Sequence, residues 1–414
     1  MEVMQEQYKD TKIGRIPKDW DVVKLGDVVK YSQGIQVDLG LQKYEPCEGY
    51  IRFLRIENYT QLSQDFRFIP IPSKKDKIIA KEDIVVVRYG ATAGTVGRGF
   101  EGVLANNLFK VTPNKKLDRG FLFRYISSLY SYLQSLMSGG AMPALNFGML
   151  NLLYTPLPPL PEQQKIAEIL STVDEQISTT QAIIDKSKEL KKGLMQKLFS
   201  EGIGHTEFKD TKIGRLPKDW EVVRLGNCSK LLTGGTPSTK VKEYWDGNIP
   251  WMASGDIHKR YIEDVEGRIT ELGLEKSATK IIPINSVLIA LNGQGRTKGT
   301  VAINLKEITC NQSLAAYVLN EDKFNPLFVL FFLTTRYWHL RALAGGDDRA
   351  GLNLGLLRTV ECILPSLSEQ QKIVNILSEA DAKIEKEEKE KAQLEQLKKG
   401  LMQQLLTGKK RVKV

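Results

Sequence analysis

Two stretches of this chain read as nearly the same long helix. Residues 161–198, PEQQKIAEILSTVDEQISTTQAIIDKSKELKKGLMQKL, return as residues 368–405, SEQQKIVNILSEADAKIEKEEKEKAQLEQLKKGLMQQL, at an offset of 207 residues. In the first copy Ile166, Leu170, Val173, Ile177, Ile184, Leu194 and Leu198 keep a 4,3 spacing with a gap in the middle. Ile373, Leu377, Ala380, Ile384, Leu394, Leu401 and Leu405 do the same in the second. Such a narrow apolar stripe on a polar rod is the coiled-coil pattern. About 38 helical residues span roughly 57 Å. One helix cannot bury this stripe alone, so each copy is expected to pair with the other, antiparallel and with pseudo-two-fold symmetry. Gly193 and Gly400 should weaken the last turns.

The repeat extends beyond the helices. Residues 9–20, KDTKIGRIPKDW, return as residues 209–220, KDTKIGRLPKDW, with one substitution. The chain is thus two tandem units, each a connector motif, a globular body and a rod. The bodies, 21–160 and 221–367, are much less alike. The divisions expected are an N-terminal strap (1–20), a first body (21–160), and a central helix and linker (161–208). The connector with the second body (209–367) and the C-terminal helix with a basic tail (368–414) follow. Pro156, Pro158, Pro159 and Pro161 should stand outside the first rod and, with Pro365 at the second, isolate each body from its rod.

Along the first body, residues 1–8 are expected to be poorly ordered, and 22–34 a strand and a short helix. Residues 50–60 read as one strand, 83–99 as a strand entering a Gly-rich turn, 102–113 as another strand and 119–137 as one amphipathic helix. The second body follows the same order, with a strand in 232–257, strand–turn–strand over 285–304, a strand at 310–321 and a helix at 326–343. Each body is therefore α/β, or mixed α+β, and both should share one fold.

Little here points to catalysis. His205, His258 and His339 are scattered, with no metal spacing. Cys47, Cys228, Cys310 and Cys362 have no CxxC spacing and read as structural thiols. There is no GxSxG, phosphate loop, NPPF or DPPY string, and no nuclease Glu-x-Lys after a strand. No apolar run approaches the length of a membrane span, so an intracellular, cytoplasmic protein is expected. A formal charge of +10 permits nucleic acid as a partner without requiring it. The weight falls on binding.

Two variable bodies set between near-identical helices resemble the specificity subunit of a type I restriction–modification system. The resemblance rests on IPKDW and LPKDW, LPPLPEQQKIAEIL (157–170) and LPSLSEQQKIVNIL (364–377), and KKGLMQKL and KKGLMQQL. NIPWMASGDI (248–257) and LIALNGQGRTKGTVA (288–302) add to it, and the match covers nearly the whole chain. It implies two target recognition domains, each reading one half of a bipartite, asymmetric target in double-stranded DNA. It also implies a non-catalytic chain. Two modification subunits would supply adenine-N6 methylation with S-adenosylmethionine. Two restriction subunits would supply ATP- and Mg-dependent translocation and cleavage. The first body has GYIRFLRIENY (49–59) where the second has NIPWMASGDI, as two different half-targets would require.

Basic and amide residues near loops and Gly-rich turns are the DNA candidates. In the first body they are Arg52, Arg55, Arg88, Tyr89, Arg98 and Lys110, with Lys74, Lys75 and Lys77 for phosphate. In the second they are Lys240, Lys242, Lys259, Arg260, Asn292, Gln294, Arg296 and Lys298. Trp245, Trp251 and Trp338 suit stacking on a partner or core packing. Trp20, Trp220, Lys191, Lys192, Lys398 and Lys399 belong to the repeated frame and are candidates for the modification-subunit interface. The alternatives are a DNA-binding or scaffolding protein outside restriction–modification, or a single-chain methyltransferase, which lacks every motif that its chemistry needs.

Overall fold

The computed structural model describes residues 8–137, 143–293, 295–345 and 351–413. The rods are unbroken helices, Leu160–Ser200 and Leu367–Leu405. Pro161 lies inside the first of them, against expectation. A first-turn N–H has no intrahelical acceptor, so proline costs nothing there. Gly193 and Gly400 do not interrupt the helices, and a Cβ at either would meet nothing within 4 Å.

The gap in the apolar stripe is not a gap in the spacing. The 4,3 rhythm continues through Thr180, Ser187 and Lys191 in the first rod, and through Glu387, Lys391 and Lys398 in the second. Several of these polar positions bond across the seam. Ser187 donates to Glu387 (3.1 Å), and Lys191 pairs with Asp381. Lys398 pairs with Asp174 (2.8 Å). The low-numbered end of each rod therefore lies beside the high-numbered end of the other, an antiparallel pair. Buried polar seam positions set register at some cost in stability.

The chain forms two compact units. One runs to Gln181 and resumes at Lys389; the other is Ala182–Glu388. Each owns one half of each rod. In the first unit one sheet orders Val29–Gln33, Leu108–Pro113, Ile84–Val87 and Val96–Gly97, all antiparallel. The second unit repeats it as Ser229–Thr233, Leu314–Leu319, Val287–Ala290 and Val301–Asn304, and adds Tyr261–Ile262. A smaller sheet recurs too. Tyr50–Leu54 pairs antiparallel with Arg67–Pro70 and parallel with Gly102–Leu104. Trp245–Met252 pairs the same way with Arg268–Ile269 and Thr309–Cys310. The two bodies share one topology.

Four expected elements are divided. Residues 50–60 are a strand and then a helical turn, Ile56–Thr60, because the Asn58 side chain accepts the Arg55 N–H and bends the chain. Residues 102–113 are two strands in different sheets, with the turn at Ala105–Asn107 carrying the chain between them. The helix expected at 119–137 is Arg119–Ser128 and Tyr130–Met137, and that at 326–343 is Pro326–Thr335 and Tyr337–Leu343. Both break after adjacent hydroxyl residues. Ser127, Ser128, Thr334 and Thr335 bond back to carbonyls three or four residues earlier, which competes with the helix ladder.

The rods belong to the body cores, contrary to the isolation expected from the prolines. In the first unit Ile166, Leu170 and Leu405 join Trp20, Phe109 and Phe121. In the second Leu198, Phe199, Ile373 and Leu377 join Trp220, Tyr317 and Phe328. Phe199 meets Phe328 and Phe332 edge-on, at 5.4 and 5.6 Å.

Asp381→Ala removes the counter-charge of Lys191, whose side chain is 10% exposed, and of Arg260, so unfolding free energy should fall by about 3 kcal/mol. Replacing Lys191 and Asp381 together with apolar residues of similar size should recover most of that loss in denaturant titrations. Gly193→Ala and Gly400→Ala should each raise stability by about 1 kcal/mol, seen as a higher Tm, because helix propensity improves and nothing is crowded.

Candidate nucleic-acid interface

The repeated strap and rod motifs build two matching buried knots. In the first unit the Trp20 indole N–H donates to Glu162 Oε2 at 3.0 Å. Arg411 donates to both oxygens of Glu162 (2.7 and 2.8 Å) and to both oxygens of Asp19 (2.8 Å each). In the second unit Trp220 donates to Glu369 Oε2 at 3.0 Å. His205 stands where Arg411 stood, 2.8 Å from Glu369 and 3.3 Å from Asp219. Gln163 and Gln370 close the loop ahead of the body helix in the same way. Each accepts one backbone N–H, from Asp118 or Asn325, and donates to two carbonyls.

These contacts correct the interface candidates. Trp20 and Trp220 are fully buried and cannot meet a partner. Lys191 is buried against Asp381, with its ammonium 5.4 Å from the Phe331 ring. Burial, and then the charge of Arg260, lowers the Lys191 pKa, while Asp381 opposes both. Lys398 is held by Asp174. Lys192 and Lys399 are exposed. Repetition of these motifs is thus explained by internal bonding for all but the exposed pair.

The rod carboxylates also anchor the bodies. Asp174 receives Arg124 from the helix Arg119–Ser128 as well as Lys398. Asp381 receives Arg260 (3.4 Å) and the Tyr261 hydroxyl (3.3 Å) as well as Lys191. Arg260 reaches it from a left-handed backbone conformation, φ 62°. It is a latch rather than a free DNA contact.

Several DNA candidates are likewise committed within the protein. Arg55 bonds the Asp65 carbonyl (3.0 Å), Lys110 pairs with Asp83 (3.5 Å), and Arg88 donates to Gln33 (2.8 Å). Tyr89 is half-buried and bridges Ala144. Lys298 is 3% exposed, which removes it as a surface contact. Lys77 donates to the Gln33 carbonyl (3.0 Å). Arg98 is exposed, with its guanidinium 4.5 Å from the Phe123 ring. Arg52 is exposed above Phe66. Lys74, Lys75, Lys240, Lys242, Asn292 and Arg296 are exposed, as is Lys259 beside Asp256 (3.1 Å). Gln294 lies outside the described residues.

Both Gly-rich turns dock on the second half of the broken helix. Gln134 donates to the Ala93 carbonyl at 2.5 Å, and Arg341 to the Gly295 carbonyl at 2.7 Å. Gly293, Gly295 and Gly299 have positive φ, which lets the second turn fold back tightly. Trp245 and Trp251 pack edge-on at 5.0 Å, whereas Trp338 is 77% exposed. Sequence reading passed over an open cleft of about 380 Å³ in the first body, lined in part by Gln36, Tyr44, Arg67 and Asn106. Its signal was the adjacent amides, Asn106–Asn107 and Asn311–Gln312, that follow matching strands.

Burial pushes the Cys310 thiol up to about 12 and that of Cys362 well above its ordinary value, as befits inert structural thiols. Among the described residues no cluster of His, Cys, Asp or Glu suits a metal, and no helix is long and apolar enough to cross a membrane.

Comparison with known proteins agrees with this architecture. The chain is 31% identical over 429 aligned positions to the type I restriction enzyme MjaVIII specificity subunit of Methanocaldococcus jannaschii, covering 99% of this chain and 97% of the relative. It resembles in fold the crystal structure of a type I restriction–modification S subunit from M. genitalium. The TM-score is 0.61 at 17% identity, covering 93% and 96% of the two chains. A chain from a structure on complex assembly and conformational transition of the type I R-M system gives a TM-score of 0.59 at 19% identity, covering 95% and 99%. The family model described as type I restriction modification DNA specificity domain matches twice, over residues 17–189 and 217–396. Each match takes in one body with most of its following rod, and the chain therefore belongs to the type I restriction–modification DNA specificity family.

Proposed function

We propose that each body reads one half of a bipartite, asymmetric target in double-stranded DNA, and that the chain supplies specificity to a complex whose catalysis lies in other subunits. The observation that carries this reading is one topology built twice with different exposed residues. Arg52, Lys74 and Lys75 are offered by one body, and Lys240, Asn292 and Arg296 by the other. Two copies of one reader would specify a repeated word; two different readers on one frame specify two words.

The same reading assigns the partners. Two modification subunits would dock on the repeated frame, where Lys192 and Lys399 are the exposed members of the candidate set. They would bring S-adenosylmethionine for adenine-N6 methylation. Two restriction subunits would bring ATP- and Mg-dependent translocation and cleavage. The assembly would work in the cytoplasm, where such DNA is found.

Because the rod ends complete each core, a clean exchange must carry them. Replacing residues 182–388 by the corresponding unit of a relative should change one word of the target and leave the other intact, read by methylation mapping of the assembled enzyme. Exchanging 221–367 alone would set a foreign body against Leu198, Phe199 and Ile373 and should lower stability. Change in both words, or in neither, would defeat the modular reading.

Single substitutions should separate two kinds of contact. Arg296→Ala should cost about 1–3 kcal/mol at one base pair. Lys74→Ala with Lys75→Ala should weaken all duplexes alike and reduce the slope of log affinity against log salt by about one per lysine. Titrations at several salt concentrations distinguish these outcomes.

A further inference from the structure

We infer that each body reads base edges at one fixed place in its fold, the amide turn where the chain crosses between its two sheets, together with the loop facing it. This rests on the DNA-reading role proposed above and assigns its site. In the first body the strand Val29–Gln33 leads into Gly34, and a Cβ there would lie 2.0 Å from the Ala105 carbonyl oxygen. In the second, Ser229–Thr233 leads into Gly234, whose Cβ would lie 2.0 Å from the Cys310 carbonyl oxygen. These glycines pin the two loops against the same turn, which reads Asn106–Asn107 in one body and Asn311–Gln312 in the other.

The bonding recurs while the chemistry differs. Asn106 Nδ2 donates to Gln36 Oε1 at 3.2 Å, and the Thr236 hydroxyl donates to Gln312 Oε1. All four side chains are exposed. The bond leaves Gln36 Nε2 and Asn106 Oδ1 without a protein partner among the described residues. Around the first turn stand Tyr44, 70% exposed with the Arg67 guanidinium 3.6 Å from its ring, and Leu39, 82% exposed. Arg67 Nε and Asn107 Oδ1 are buried there without a hydrogen-bond partner. Around the second turn stand the Trp245–Trp251 pair, tied to the loop by bonds to the Ser238 and Gly235 carbonyls.

Amides and guanidinium forks are the groups that match base edges, and apolar or aromatic groups suit the thymine methyl. Folded proteins leave few buried polar atoms unsatisfied, yet here Arg67 Nε and Asn107 Oδ1 lie beside exposed amides and an exposed tyrosine in one cleft. One fold position with different contents in the two bodies is what two different words require. The sequence-based candidates Arg296 and Lys74 lie outside this turn and loop, so the assignment is separable from theirs.

The test uses the chain assembled with its modification subunits and a random-sequence duplex library, with methylated positions mapped. Gln36→Ala with Asn106→Ala should reduce discrimination about tenfold to a hundredfold at one or two base pairs of one word. Thr236→Ala with Gln312→Ala should do so only in the other word. The near-isosteric Gln36→Glu alone keeps the oxygen that accepts from Asn106 Nδ2 and should change the preferred base at the positions that the alanine pair relaxes; it replaces that pair if the latter lowers the Tm. Wild-type preference at every position in these variants, or an even loss across all sequences, would overturn the assignment. A wild-type assembly that showed no two-word target would instead overturn the functional reading on which it rests.

Discussion

The pairing of Lys191 with Asp381, and of Lys398 with Asp174, is the constraint on which the rest depends. An apolar 4,3 seam alone permits slips by a heptad, since each shifted register again meets apolar residues. Charged and hydroxyl residues at seam positions remove that freedom. A slipped rod would leave Lys191 buried without its carboxylate, a loss that apolar contacts elsewhere would not offset. Register then decides more than rod stability. The same two aspartates hold Arg124 in one unit and Arg260 with Tyr261 in the other, so a body is oriented on its rod by the residues that set the rod's register.

The strap knots close each unit by a second route. Glu162 and Glu369 are buried carboxylates, each met by an indole N–H and a basic side chain, with the Ile203 N–H added at Glu369. The basic group comes from Arg411 in one unit and His205 in the other, each just past the end of a rod. The segment leaving one rod therefore seals the strap at the start of the other copy's rod. This explains why strap and rod motifs are repeated so closely while the bodies diverge. The repeated residues, apart from exposed Lys192 and Lys399, answer to one another inside the protein.

Division of labour follows from where backbone and side chains are committed. Strand order, the crossing turn, the broken helix and the glycines at 34 and 234 are common to both bodies. They place a loop and an amide turn reproducibly. Contents of the loop are free to differ because those side chains are exposed and hold up no core. Arg55, Arg88, Lys110 and Lys298 show the opposite case: suitable chemistry spent on internal contacts or buried.

Periodicity and repetition in the sequence determined the two rods, their antiparallel pairing, the tandem units and the mixed α/β character. Each of these depends on local spacing or on a long exact match, both visible in one dimension. IPKDW and EQQKI were recognisable as a frame for the same reason. Only tertiary structure decided that Trp20 and Trp220 are buried, that Lys191 and Lys398 are bonded across the rods, and that rod ends complete the body cores. A lysine at a seam position looks like a gap in an apolar stripe until its aspartate, roughly 190 residues away, is beside it. The amide cleft was hidden for a like reason. Gln36 and Asn106 are 70 positions apart, and neither is unusual until the glycine before one touches the carbonyl before the other.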